Sequence, residues 1–336
     1  MGSSTYRNLF LAFTLLTSRG VFAQTIDPPD EDSVQVPTGP QFVKGQVVRP
    51  GREDMIPVPN VMVTLHRVGN DRAAPLDSSR ANSKGEFQFR YVRSGDVNAI
   101  YFVSASYGGV AYFTPPLTKS TVTGPDAEIA VFDTTSGPVP IGSRGHHIVV
   151  SAVDTRGMRN VTEVYELAND TSVTRIAGNG PGGEVWSSTL PAGAQGFQVA
   201  QGDIPAQAVK FENGKALVFA PIAPGLKQLA YSYELPAAKF PLSIPIIKDT
   251  QILEVLIEDE KGKVEGAKLQ EKAPVAIEKR NFRRFLAADV PANAVTVIDL
   301  PADLRSRDID PRYMIALTAV IGAAMVFALV RALRRA

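Results

Sequence analysis

The chain's only imidazoles are His66, His146 and His147, and it has no cysteine. These counts bound the acid–base and metal chemistry the sequence can supply. His146 and His147 are adjacent, and neighbouring strand residues point to opposite faces, so the two do not readily share one ion. No HExxH or HxxE spacing accompanies them, and they read as strand-edge histidines rather than zinc ligands. No serine sits in a GxSxG setting. The segment AGNGPGGEVW, Ala177 to Trp186, is glycine-rich, yet it lacks the Lys-Ser/Thr ending of a phosphate loop and no helical pattern follows. It reads as a long loop, and with the sole tryptophan, Trp186, it is the candidate for contact with a partner. Glu258, Asp259 and Glu260 cluster as calcium-binding carboxylates do. Without DxDxDG spacing, and with lysines interrupting the run, they read as the solvated tip of a hairpin around Lys261-Gly262. Asn160 and Asn169 match the glycosylation acceptor pattern. This inventory predicts no catalytic residues, no metal and no cofactor.

The elements that must position these side chains read as strands. Gln24 to Pro40 is rich in proline and acid and is expected to be a flexible leader. From Gln41 to Leu117 the pattern alternates: Val61, Val63 and Leu65 share one face, while Met62, Thr64 and His66 take the other. Pro57 to Val68 reads as one strand whose prolines stand at its start, where a missing N–H costs little. Phe87, Phe89 and Tyr91 alternate behind a turn at Asn82 to Gly85, and Gly108-Gly109 marks a hairpin. Residues 118–144 form a linker holding one strand, AEIAVFDT. From 145 to 302, apolar runs recur at intervals of about ten to fifteen residues between turn signals, as strands of a second sandwich region do. The pattern leaves open whether 145–302 is one domain or two, split near 245.

Both ends carry addresses. Arg7, the apolar stretch Leu9 to Leu16 and the small-residue motif Val21-Phe22-Ala23 predict a signal peptide over 1–23. Tyr313 to Val330 holds no charge, and as a helix it is about 27 Å long, enough to span a bilayer. The basic tail 331–336 is then expected in the cytoplasm, with the bulk of the chain exported. Within the span, Thr318 and Gly322, with Ala319 and Ala323, form small-xxx-small pairs that let a second helix approach closely. Setting aside Arg7, Arg19, Arg331, Arg334 and Arg335, 30 of the 35 basic residues face 34 acids, a net charge of −4. A nucleic-acid partner calls for a strongly basic face and is not expected. Without cysteines the exported part must be held by packing alone.

The segments Gly45-Gln46-Val47-Val48, Val58-Pro59-Asn60-Val61, Val63-Thr64-Leu65 and Gly85-Glu86-Phe87 carry a resemblance. Together they resemble the carboxypeptidase regulatory-like domain, a transthyretin-like β-sandwich of exported bacterial proteins. The resemblance covers 41–117 and implies adhesion, packing or ligand contact, without hydrolysis. The expected fold class is therefore all-β: tandem Ig-like or transthyretin-like antiparallel β-sandwiches plus one C-terminal transmembrane helix. The expected role is a non-enzymatic scaffold, single-pass in a bacterial inner membrane and projecting into the periplasm. Its partners would be other membrane proteins, as in a respiratory, photosynthetic or cytochrome-maturation complex. The alternative is a module binding carbohydrate or another small ligand, with Tyr101, Tyr107, Tyr112 and Phe113 as its stacking aromatics.

Overall fold

The computed structural model describes residues 39–302, apart from Arg52, Pro181 and Glu278. The expected signal peptide, most of the leader, and the span 313–330 with Thr318, Ala319, Gly322 and Ala323 lie outside the described residues. Within them the chain is all-β, with 24 strands, three short 3-10 turns and no α-helix. No helix among the described residues is long and apolar enough to cross a membrane.

The first unit begins with β1 (Pro40–Pro50), β2 (Met55–Pro57), β3 (Met62–Val68) and β4 (Ala73–Arg80). It continues with β5 (Glu86–Val92), β6 (Ile100–Tyr107), β7 (Val110–Phe113), β8 (Thr121–Thr123) and β9 (Ile129–Ala130). One layer is β2-β1-β5, with β8 and β9 pairing parallel to β1; the other is β4-β3-β6-β7. Alternation decides the packing: Val63, Leu65, Tyr101 and Val103 meet Val43, Val47, Phe87 and Phe89 between the layers. The single strand expected from Pro57 to Val68 is two strands in different layers. Pro57 and Pro59 withhold N–H donors and Asn60 takes a left-handed φ of 62°, so the chain turns there and crosses the sandwich. Val58 and Val61 on either side of that turn both enter the core. The Gly108-Gly109 hairpin forms as its sequence demands, with φ of 57° and 79°.

The second unit opens with β10 (Thr134–Thr135), β11 (Ile141–Val150), β12 (Met158–Asn169), β13 (Thr174–Arg175) and β14 (Trp186–Thr189). Next come β15 (Gln195–Val199), β16 (Val209–Glu212), β17 (Lys215–Val218), β18 (Gly225–Pro236) and β19 (Leu242–Pro245). The last are β20 (Thr250–Ile257), β21 (Lys263–Gly266), β22 (Gln270–Ile277), β23 (Arg280–Val290) and β24 (Val295–Asp299). A seven-stranded sheet runs β15-β18-β12-β11-β20-β23-β22. The three-stranded sheets β14-β17-β16 and β19-β24-β21 share one hydrophobic cluster with it, in which Ile148, Val161 and Val255 meet Trp186, Val218, Ile244 and Ile298. Purely antiparallel layers were expected, but β11 and β20 run parallel at the sheet's centre. The long connection between them leaves their relative direction free, which a short hairpin loop does not. The expected hairpin at Lys261-Gly262 is a crossing instead: β20 belongs to the large sheet, whereas β21 pairs with β24.

Polar contacts join the units. The Thr174 N–H donates to the Asp133 carbonyl at 2.8 Å, and the Tyr112 and Thr174 hydroxyls are 2.8 Å apart. Ile176 and Ala223 of the second unit pack against the core of the first. At the far end, the fully buried Arg159 donates to the carbonyls of Ser151 and Pro301 and pairs with Asp259 at 3.2 Å.

Candidate functional site

The two adjacent histidines do point to opposite faces, but they are not at an edge. They lie on β11, in the middle of the seven-stranded sheet, and both are buried. The sequence hid this because their acidic partners come from other strands. His146 faces the main core, where its Nε2 donates to Glu163 Oε2 at 2.8 Å and its ring stacks on Tyr165 at 4.0 Å. The Tyr165 hydroxyl donates to the same carboxylate at 2.6 Å and that of Tyr233 to its other oxygen at 2.8 Å. Burial alone pushes the Glu163 carboxyl up; His146 and the two hydroxyls outweigh it and hold the group below its ordinary range. Burial, aided by the Glu163 charge, pushes the tyrosines well up. All the members are enclosed, so the network has the geometry of a structural bond set rather than of a site open to substrate.

On the opposite face His147 Nδ1 donates to Glu254 Oε2 at 2.6 Å, and Arg284 Nε donates to the other oxygen at 2.5 Å. The register makes this natural, since His147 and Glu254 are direct neighbours across β11 and β20. Burial raises the Glu254 carboxyl, and the contacts from His147 and Arg284 overcome that and lower it. Glu163 and Glu254 were missed in the sequence. The available signal was an acid inside each of the apolar runs VTEVYEL and QILEVLI, where an unpaired charge has no place.

The remaining sequence candidates are distributed differently from expectation. Glu258 pairs with Arg280 and accepts from the Ala152 N–H, and Asp259 pairs with Arg159, so these acids tie elements together instead of forming a solvated tip. Among the described residues no group of three or more His, Asp or Glu side chains is arranged to hold a metal. Asn169 is buried and its amide donates to the Val173 and Ile222 carbonyls, which removes it as a glycosylation acceptor; Asn160 is half-buried. Trp186 is a core residue packed edge-on against Tyr165, 4.8 Å between rings, and offers no face to a partner. Tyr101 and Tyr112 are likewise core, and Tyr107 is bonded to Asp133.

Phe113 is different. It is 57% exposed and belongs to the outer face of β4-β3-β6-β7. There the register aligns Met62, Thr64, His66 and Val68 with Ser106, Ser104, Phe102 and Ile100, and sets Phe113 beside Ser104. His66 stacks on Phe102 at 5.0 Å and bonds Ser104 at 2.8 Å, and Phe113 meets Phe102 edge-on at 5.7 Å. Burial pulls the His66 pKa down, favouring a neutral ring. Met62, Val68 and Ile100 are exposed around this aromatic trio. A solvated sheet face ordinarily alternates to polar residues, so this apolar face with interleaved hydroxyls is the candidate functional surface. Its signal was present in IYFVSASY, where Ile100 and Phe102 have the opposite parity to the core residues Tyr101 and Val103.

No family model matches the chain, and no curated protein matches it. Among solved structures, a variant of the shaft pilin spaA from Lactobacillus rhamnosus GG is similar at 13% identity and a TM-score of 0.21. That match covers 36% of this chain and 64% of the pilin chain, less than two thirds of its length.

Proposed function

We propose that the chain is a non-enzymatic interaction protein: a scaffold held in a bacterial inner membrane by 313–330, with its β units in the periplasm as an accessory subunit of a larger assembly. In this reading the first unit is a carboxypeptidase regulatory-like, transthyretin-like sandwich, and the outer face around Phe113 is its contact surface. The observation that carries the reading is that face, where Met62, Val68, Ile100 and Phe113 lie exposed on one sheet side. The occupant that suits it is a flat apolar surface of a protein partner, because the face offers apolar groups and hydroxyls rather than a charge array. The buried histidine networks are consistent with this role, since their acids and bases are engaged with one another.

The test is purification from native membranes in mild detergent. Wild-type protein is expected to retain a fixed set of membrane proteins, and a Phe113→Ser, Ile100→Ser double variant to lose it. Both side chains point outward, so the variant's stability should stay within about 0.5 kcal/mol of wild type. Retention of the same set by the variant would overturn the reading. The stacked His66–Phe102 pair beside the hydroxyls of Thr64, Ser78 and Ser104 favours a second reading, a carbohydrate or small-ligand module. Binding to a glycan array that Phe113→Ser abolishes would select it.

A further inference from the structure

The outer face of β4-β3-β6-β7 is ordered in rows that the register fixes. Ser78, Thr64 and Ser104 lie side by side across three strands and lead to Phe113, with the Ser78 and Thr64 hydroxyls 3.1 Å apart. The next row sets His66 beside Phe102, and the one beyond it Val68 beside Ile100. The outward positions of β3, β6 and β7 hold no Asp, Glu, Lys or Arg. Arg80, outward on β4 beside Met62, turns its guanidinium to the Asn60 carbonyl at 2.9 Å. The His66–Phe102 stack, the Phe113 edge contact and the His66–Ser104 bond hold the face in shape before anything docks on it.

We propose, on the reading of this face as a contact surface, that its occupant is the same face of a second copy of the chain, the two related by a two-fold axis running along the strands. Sheets packed face to face lie about 10 Å apart with their strands within about 30° of alignment. About an axis along the strands, each row meets its own image. Hydroxyls both donate and accept, so the Ser78-Thr64-Ser104 row can bond its image, while the His66-Phe102 row packs ring against ring. With no charge in the middle of the face, the copies do not repel each other there. A different protein would have to repeat this spacing of rows, which a second copy does by identity. Area sets the strength. The seven residues of β3 at ~3.3 Å each, across four strands ~4.8 Å apart, give a flat footprint of roughly 450 Å2 per copy. The total of about 900 Å2 falls among weak, transient contacts, below about 1,200 Å2, so the pair forms only where copies are concentrated. Anchoring in one bilayer through 313–330 supplies that concentration. An isologous contact also closes at two copies and leads to no filament.

The chain has no cysteine, so one introduced thiol reports on one place. Two differently tagged copies of full-length Ser106→Cys are made in the same cells, and their membranes are treated with a bismaleimide about 10 Å long, matched to the sheet spacing. Ser106 suits this because it is exposed and outward, beside Met62. A product carrying both tags is expected, with nothing larger. Gln88→Cys, exposed on the outside of the opposite layer, is expected to give none. Adding Phe113→Ser and Ile100→Ser to Ser106→Cys should lower the yield at least about fivefold while the protein still melts like wild type. No two-tag product from Ser106→Cys, or one joining it only to another protein, would overturn the proposal. So would an equal yield from Gln88→Cys, or a yield unchanged by the double substitution. Retention of the membrane-protein set, measured on the same membranes, separates this proposal from the reading it rests on. A set lost in the double variant with no two-tag product in its parent keeps the contact surface and removes the second copy. A two-tag product lost in the double variant while the set persists keeps the pair and removes the other partners from this face.

Discussion

Glu163 shows how much a single buried charge depends on its surroundings. Its carboxylate accepts from His146, Tyr165 and Tyr233, and these bonds hold it below its ordinary value of 4.5. Glu254 is held down in the same way by His147 and Arg284. A carboxyl lowered in the folded state adds stability above its unfolded value, and that contribution disappears as pH falls through the lowered one. The melting temperature is therefore expected to be steady near neutrality with respect to these acids and to fall on acidification below about pH 4.5. Glu163→Gln should be destabilised by roughly 3 kcal/mol at neutral pH and lose part of that acid sensitivity, as read by thermal melts across pH. An unchanged acid limb in the variant would show that Glu163 titrates as an ordinary acid.

At the scale of elements, Gly45 in β1 illustrates what backbone proximity requires. A Cβ there would run into the Ala127 carbonyl oxygen and come within 2.6 Å of the Phe87 ring, because the turn before β9 presses onto the strand. Backbone cannot yield as a side-chain tip does, so Gly45→Ala is expected to cost about 1–3 kcal/mol, measured by denaturant unfolding. Much of the strand content was legible, because period-two alternation such as Val61, Val63, Leu65 records burial directly. The Gly108-Gly109 turn was legible for its own reason, a local demand for positive φ. What escaped reading was pairing over distance. Nothing local states that β11 lies beside β20, so the histidines looked marginal when they are central. The open face was hidden by treating aromatics as a cluster by sequence proximity; strand parity sends Phe113 outward and Tyr112 inward.

At the scale of the whole molecule, the junction couples the two units through Thr174, Tyr112, Ile176 and Ala223. Such sharing of a core predicts one calorimetric transition for wild type. Ile176→Asp, which places a charge against the first unit's core, should separate it into two transitions and remove about 2 kcal/mol from the less stable unit. Two transitions already present in wild type would mean that the contact does not couple the units.

The central parallel pair also sets a timetable. His147 and Glu254 are 107 positions apart, so β11 must stand ready long before the strand that completes it has been made. Ordering so distant a closure is slow, and meanwhile the Ile148-Val149-Val150 stretch presents a bare rim to which any foreign strand can add. A chain cut short ahead of Thr250 would keep that rim permanently, which makes assembly of the second unit the step most exposed to aggregation.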